Sequence, residues 1–401
     1  MGTRGARPSG LEGTTHADAM KSRASIPPGR SLESLNLRTL AQLTVKNFKS
    51  IRDQTLRLGK LNVFVGGNGS GKSNLVGVFR FLNRVVAGEL QTHTAVSGGA
   101  NAILHFGRKR SPLLEMAVEF EEGSDANGYR LQLLPTQVDR FIFMKEEVWY
   151  RDGAKFPPPH KPFDEQLGTG HGESKLVNFP SRISGYVLSD LSSYRIYHFH
   201  DTSAEARVKQ TQALDNTAVL LADAANLAPF LRRMRDVSPG HFQNIEEAVR
   251  QVVPFFAGFH LEPDDSGKNL LLAWREKGHE EPFPAAALSD GTLRFMCLAT
   301  LLLQPSLPAV VLLDEPELGL HPAAIHLLAT LLDSASTRSQ VLVATQSVTL
   351  LNQLTPDDVW TVERRSGESI FTPLREADRS TWPAGAALGD LWERNVFGAT
   401  P

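Results

Sequence analysis

Phe64-Val65-Gly66-Gly67-Asn68-Gly69-Ser70-Gly71-Lys72-Ser73 is the stretch on which the reading of this 401-residue chain turns. Gly66 and Gly71 bracket four residues and precede Lys72-Ser73, the spacing of a phosphate-binding loop. Glycines let the backbone curl so that successive N–H groups, from Gly66, Gly67, Asn68, Gly69, Ser70 and Gly71, aim at phosphate oxygens. A helix starting near Lys72 adds the positive end of its dipole. Lys72 is expected to reach the β- and γ-phosphates and Ser73 to hold Mg²⁺, with Asn74 completing the nucleotide cradle. The competing reading is a plain glycine-rich turn. Context counts against it: residues 61–65 form an apolar strand-like run before the loop, and residues 74–86 are helix-permissive after it.

The chain is long enough for two or more lobes. Forty-two Lys and Arg against 44 Asp and Glu give a formal net charge of −2, so there is no global basic footprint and nucleic-acid contact would need a local patch. One cysteine, Cys297, sits in the apolar run 295–299, which suits a buried thiol. A disulfide framework within one chain is excluded, which favours a reducing, cytoplasmic setting. There is no apolar run of membrane-spanning length, so no membrane partner is expected. Residues 1–38 carry scattered Arg and Lys among Gly, Ser, Thr and Pro and read as a disordered leader.

Order is expected from residue 40, where Leu43, Val45 and Phe48 alternate as in a strand, with a hairpin partner over residues 51–58. After the loop, Leu75, Val78, Phe79, Leu82, Val85 and Val86 give a helical period. Residues 113–121, 129–134 and 140–150 read as antiparallel strands, the first two parted by a turn over 123–128. Residues 153–179, rich in Pro, Gly and Lys, read as a long loop or mobile arm, and residues 203–253 as helix in pieces. Residues 259–261 and 270–274 resemble a further strand pair. From Leu288 onward, apolar strands at 309–313, 340–345 and 358–362 alternate with helices at 292–303 and 323–332, the pattern of a parallel sheet covered on both faces.

Asp314-Glu315 directly follows the strand at 309–313, at the carboxyl end where α/β sheets bind ligands. Asp314 is expected to ligate Mg²⁺ and Glu315 to orient and deprotonate an attacking water. Leu288-Ser289-Asp290-Gly291-Thr292 precedes an apolar helix and resembles the L-S-G-G-Q signature of ABC-type ATPases. That resemblance implies that Ser289 and Gly291 bind the γ-phosphate of a nucleotide held by a second subunit. An acid at Asp290 is unfavourable there unless it points away or meets a cation.

The likeness extends further. The long interval from Lys72 to Asp314 fits an ABC-type head interrupted by an inserted lobe, as in the RecF, SMC and OLD-like group. Residues 43–51 are similar to that group's first strand, and Pro316-Glu317-Leu318-Gly319-Leu320-His321-Pro322 looks like its D-loop. Where many relatives carry a switch histidine, Thr345-Gln346-Ser347 stands; Gln346 can hydrogen-bond a γ-phosphate or water but cannot gain charge, which implies slow hydrolysis. The closing stretch 388–398 resembles bacterial AAA-family ABC-type ATPases often encoded beside a nuclease-like or Toprim-like protein in phage-defence loci. The expected fold is α/β: a P-loop NTPase, ABC-type head with a mixed or parallel sheet, inserted antiparallel strands and a helical lobe. Its expected division is 39–105 and 286–401 for the head and 106–285 for the insert.

Other features keep two readings. Gln91 is either the glutamine that senses Mg²⁺ or an ordinary polar loop residue. His198 and His200 are either two metal ligands or ordinary histidines, and Arg108-Lys109-Arg110 and Arg232-Arg233-Met234-Arg235 are either phosphate contacts or solvated faces. Functionally, the resemblance implies an ATPase that dimerises around ATP, or forms a higher oligomer, and regulates an effector in antiphage defence. The alternatives are a RecF-like repair ATPase that binds duplex DNA and an ATP-bound scaffold with negligible turnover.

Overall fold

The computed structural model describes residues 38–399 apart from 158–159, 216, 378–379, 381 and 384; nearly all of the expected leader lies outside the described residues. Thr39–Phe48 (β1) and Ile51–Arg57 (β2) pair as a hairpin; Leu43 and Val45 are buried as their alternation requires, and Phe48, out of that phase after Asn47 at φ +63°, is buried as well. Leu61–Val65 (β3) is buried at every position and runs into the glycine loop. Lys72–Val86 (α1) buries Leu75, Val78, Phe79, Leu82, Val85 and Val86. Leu90–Val96 (α2) and Ala100–Ile103 (α3) follow.

Next come Leu114–Glu122 (β4), Asp125–Pro135 (β5), Phe141–Arg151 (β6) and Phe163–Gly168 (β7), all antiparallel. Two expectations fail here. The turn read over 123–128 shrinks to Gly123-Ser124, because Ala126, Asn127 and Gly128 pair with Glu121, Phe120 and Glu119. Gly128 is a strand glycine: a Cβ there would run into the Trp149 indole and the Val118 carbonyl. The long loop read over 153–179 contains β7, whose Asp164 and Gln166 register with Trp149 and Glu147.

Arg182–Ser192 (α4), Tyr194–Tyr197 (β8) and Gln212–Ala213 (β9) lead to Leu227–Val237 (α5) and Pro239–Val252 (α6). Helix was expected from residue 203; among the described residues between there and α5 the only helical piece is a short 3-10 turn, Arg207–Lys209. Local side chains compete for the backbone donors: Asp201 accepts from Ser203 N–H (3.1 Å), Asn226 from Leu221 N–H (2.9 Å) and Asp223 from Ala225 N–H (3.1 Å). Phe256–His260 (β10), Asn269–Leu270 (β11), Ala273–Glu276 (β12) and Phe283–Pro284 (β13) form small sheets. The C-terminal third supplies Asp290–Leu303 (α7), Val310–Asp314 (β14), Pro322–Ser336 (α8), Gln340–Thr345 (β15), Val348–Leu351 (α9), Val359–Arg365 (β16), Glu368–Pro373 (β17) and Leu388–Glu393 (α10).

Two six-stranded sheets organise these elements. One, in the order β17-β16-β3-β15-β14-β8, is parallel except for β17. The other, β2-β1-β4-β5-β6-β7, is antiparallel, so the strands of the intervening segment extend the sheet begun by the N-terminal hairpin. Strand β8 escaped the sequence reading because four residues, one of them Arg195, carry too little pattern. The parallel strands are apolar on both faces for a visible reason. Val63, Val311, Leu313, Val341 and Val343 pack with α5–α8, while Phe64, Leu312, Leu342 and Ala344 pack with α1 and the antiparallel sheet. Gln340 joins the two sheets: its side-chain amide accepts from Leu40 N–H (3.1 Å) and donates to the carbonyls of Leu40 (3.0 Å) and Gly59 (2.7 Å). Burial pushes the Cys297 thiol up to about 12, as suits a packed, inert side chain.

Asp190 on α4 is a buried acid between the antiparallel sheet and its covering helix. Burial raises its pKa from 3.8 to about 6, against the opposing pull of Arg38 (3.8 Å) and Asn127 (3.4 Å). A carboxyl whose folded pKa is raised holds its proton more tightly in the fold. The stability it adds is therefore complete below about 3.8 and lost as pH rises through about 6. Asp190→Asn is expected to flatten this part of the stability curve, so that chemical denaturation shows a larger gain at pH 7.5 than at pH 4.5; an equal change at both would refute the assignment. No helix of the described residues is long and apolar enough to cross a membrane.

Candidate nucleotide-binding site

The loop between β3 and α1 is built by close approach. A Cβ on Gly66 would fall on the Val362 carbonyl and the Ser70 hydroxyl, and one on Gly71 would fall on the Ser369 hydroxyl. Gly69 and Gly71 also sit at φ +76° and +116°, where side chains are strained. Serines from distant elements hold the curl. Ser369 on β17 donates to Ser70 O (2.6 Å) and shares a hydrogen bond with Ser50 (2.6 Å), which accepts from Asn74 Nδ2 (2.6 Å). The Asn74 side chain is thus a brace behind the loop, and its backbone N–H bonds Gly71 O (3.0 Å).

Lys72 is buried and folds back, its Nζ donating to the carbonyls of Gly66 and Gly67, the latter at 3.1 Å. Burial lowers its pKa, while Glu315, Asp314 and Glu317 pull the other way. The acids predicted at the end of β14 are therefore within electrostatic reach of the loop lysine. Ser73 is exposed on the first turn of α1, whereas the Ser70 hydroxyl is buried without a partner among the described residues. Beside the loop, Gly67 to Ser70, Val362 to Arg364, Asn395, Gly398 and Ala399 line a cleft of about 510 Å³, in the size range of small-ligand sites. Ala399 closes one corner: its carbonyl accepts from Gly67 N–H (3.1 Å) and its N–H is held by Glu363 (2.8 Å).

Asp314 ends β14, and burial raises its pKa against His200, Lys72 and Arg80. Glu315 follows at φ +44°, a conformation that costs a non-glycine residue of order 1 kcal/mol, and its N–H continues the β14–β15 ladder to Ala344 O (2.7 Å). Strain at the residue predicted to be the base is the kind that functional sites retain. Gln346 follows β15, its N–H at 3.4 Å from Glu317 Oε1. His200 donates through Nε2 to the Asp314 carbonyl (2.7 Å), and His198 pairs with Arg80 (2.7 Å). Both histidines are thus engaged in fixing loops, and no three potential ligands cluster for a metal among the described residues. Gln91 is also tied down, donating to the carbonyls of Phe141 (2.9 Å) and Gly172 (2.5 Å); here the ordinary polar role describes it.

Ser289 is the N-cap of α7, accepting from Thr292 N–H (3.2 Å), and its side chain is exposed. Asp290 meets a cation, Lys209, at 4.0 Å. Gly291 packs against the backbone of Gly319, where a Cβ would collide with the carbonyl. Arg294 completes this contact: buried, it donates to the carbonyls of Phe199 (2.8 Å), His200 (3.2 Å) and Leu318, locking α7 to the loops after β8 and β14. Among the described residues, no hydrogen bond links Ser289 to the glycine loop.

The donor set fits Mg-ATP. Gly66 and Gly71 leave no room for a Cβ against the elements that hold the loop, Lys72 and an orphan hydroxyl on Ser70 lie within the loop, and Ser73 and Asp314 are hard oxygen donors of the type Mg²⁺ takes. Comparison with known proteins gives a family and a fold. The family profile described as "AAA domain, putative AbiEii toxin, Type IV TA system" matches residues 61–352. No curated protein sequence matches the chain. Among solved structures, an Smc head bound to the C-winged helix domain of ScpA superimposes with a TM-score of 0.54 at 19% identity, covering 83% of this chain and 97% of that one. An Smc head with an extended coiled coil, bound to a ScpA domain from Pyrococcus furiosus, gives 0.52 at 16% identity, covering 84% and 97%. These likenesses carry the ABC-type head fold.

Proposed function

The chain belongs to the AAA-domain family that its residues 61–352 match, and from that premise we propose that it binds and hydrolyses Mg-ATP as an ATP-dependent dimer that regulates a partner protein. The observation that supports this reading is the meeting of Lys72, Asp314 and Glu315 at the carboxyl ends of β3 and β14, parallel strands that flank β15. In the proposed reaction Glu315 takes a proton from a water, whose oxygen attacks the γ-phosphorus as the bond to the ADP oxygen breaks. Lys72 leaves the Gly66 and Gly67 carbonyls to neutralise charge on the β- and γ-phosphates, and the loop amides orient them, apart from Gly67 N–H, which the Ala399 carbonyl already holds. Mg²⁺, held by Ser73 and Asp314, would supply further neutralisation of phosphate oxygens. Gln346 would hydrogen-bond the γ-phosphate or the water.

Ser289 stands exposed at the N-terminus of α7, a helix end with unfilled backbone donors, which supports completion of the site from a second subunit. Lys209 offsets the charge of Asp290, removing part of the objection to a phosphate nearby. The Smc heads of similar fold were solved with a bound protein domain, and a protein partner is the proposed output here too, a nuclease-like effector in antiphage defence being the specific form. The uncharged Gln346 favours slow turnover and keeps the ATP-held scaffold as a second reading. Sedimentation and phosphate release, each with and without Mg-ATP, test both. Dimer formation with turnover is the expected result, dimer without turnover selects the scaffold, and a monomer in saturating Mg-ATP overturns the dimer. Filter binding of duplex DNA across a salt series, with ATP present, tests the repair reading; no detectable affinity is expected.

A further inference from the structure

Glu317 is the one carboxylate near the loop that is almost wholly buried, 8% exposed, yet it pairs with no cation among the described residues. Its Oε1 accepts from the Thr345 hydroxyl and from the Gln346 N–H at 3.4 Å, while its Oε2 is buried without a partner. Two neighbouring turns are thereby joined. Glu317 belongs to the turn after β14, which begins with the strained Glu315, and Thr345 is the last residue of β15, with Gln346 the first of the turn that follows. Asp314 and Ala344 are the last register partners on those strands and Glu315 N–H makes a further bond to Ala344 O, so the carboxylate lies just past the end of the β14–β15 ladder.

We propose that Glu317 is a positioning residue that fastens the Gln346 turn to the Glu315 turn, keeping base and switch in one arrangement before substrate arrives. This rests on the hydrolytic reading given above. A side-chain clasp is useful there because the turn after β14 leaves regular structure at once: Glu315 has positive φ and Pro316 has no N–H to donate, while Thr345, still paired with Val65 at the end of β15, offers its hydroxyl to the carboxylate. Thr345 is fully buried and its Oγ1 also accepts from Ser347 N–H (3.0 Å), so the clasp reaches the N-cap of α9. Glu317 is repelled by the like charge of Glu315 and complements Lys72, which places all three in one electrostatic neighbourhood.

The test compares Glu317→Ala and Glu317→Gln in the full chain, by steady-state ATP turnover and by hydrogen exchange of the peptide carrying Gln346. Loss of the clasp in the alanine variant is expected to lower kcat by about 100-fold with KM for ATP near the parent's, the cost of a displaced catalytic group. Gln346 should lose protection by up to about ten-fold in that variant, the value of one hydrogen bond. The glutamine variant keeps an acceptor and should recover most of both. Parent-like turnover and exchange in Glu317→Ala would overturn the proposal, as would a glutamine variant as impaired as the alanine one, which would assign the charge a direct role. If the parent itself fails to hydrolyse ATP, the hydrolytic reading falls but the exchange comparison still decides whether Glu317 holds the Gln346 turn. Glu315→Gln, with Gln346 protection unchanged, is the control that separates base from clasp.

Discussion

Glu315→Gln is expected to leave ATP binding intact, cut turnover by about 10²–10⁴-fold, and accumulate a Mg-ATP dimer by sedimentation. The amide has the size and shape of the carboxylate, so the backbone at φ +44° and the 2.7 Å bond to Ala344 O persist. What disappears is the capacity to take a proton from water. One of the three carboxylates acting on Lys72 also becomes neutral, leaving the lysine charge freer for phosphate. Binding should therefore be equal or tighter while chemistry stalls, a split that a folding defect would not produce. Hydrolysis at the parent's rate would remove Glu315 from the mechanism.

Ser289→Arg is expected to abolish the ATP-dependent dimer while leaving monomer folding and nucleotide binding in place. Ser289 caps α7 through Thr292 N–H, and loss of such a cap costs about 1 kcal/mol. The helix can bear that, because Leu293 and residues 295–299 are buried in the largest core cluster and Arg294 ties it to three carbonyls. An exposed arginine at the cap would stand where the partner's nucleotide must approach. Ser289→Ala removes the cap without adding bulk, so it reports the cost of the cap alone. A Ser289→Arg chain that still dimerises in Mg-ATP would show that α7 does not face the second subunit.

The parallel sheet, its helices and the residues at its carboxyl edge were legible because each is written locally. Val310 to Leu313 is a continuous apolar run that only a strand buried on both faces accepts, and the loop glycines report positive φ and close backbone approach. What stayed hidden depends on partners far away in sequence. Nothing near Ser369 or Ser50 announces that they brace Ser70, some 300 positions from one and 20 from the other. Arg294 could have been found: one arginine inside an otherwise apolar helix must meet acceptors, and it meets three. Glu317 gave no such signal, since an acid beside Asp314-Glu315 reads as one more of the same. Gly128 misled for the opposite reason, its freedom serving a tryptophan on the next strand and not a turn.

The inward fold of Lys72 sets a threshold for what the loop will accept. Its ammonium already rests on the Gly66 and Gly67 carbonyls, so every incoming anion must first displace a satisfied cation. That toll is the same whether the visitor carries one phosphate or three, whereas the attraction returned grows with the visitor's charge. In the proposed nucleotide site the resting posture of one side chain thus lowers the affinity for every phosphate ligand alike, and the preference among them is left to the charge that each one brings.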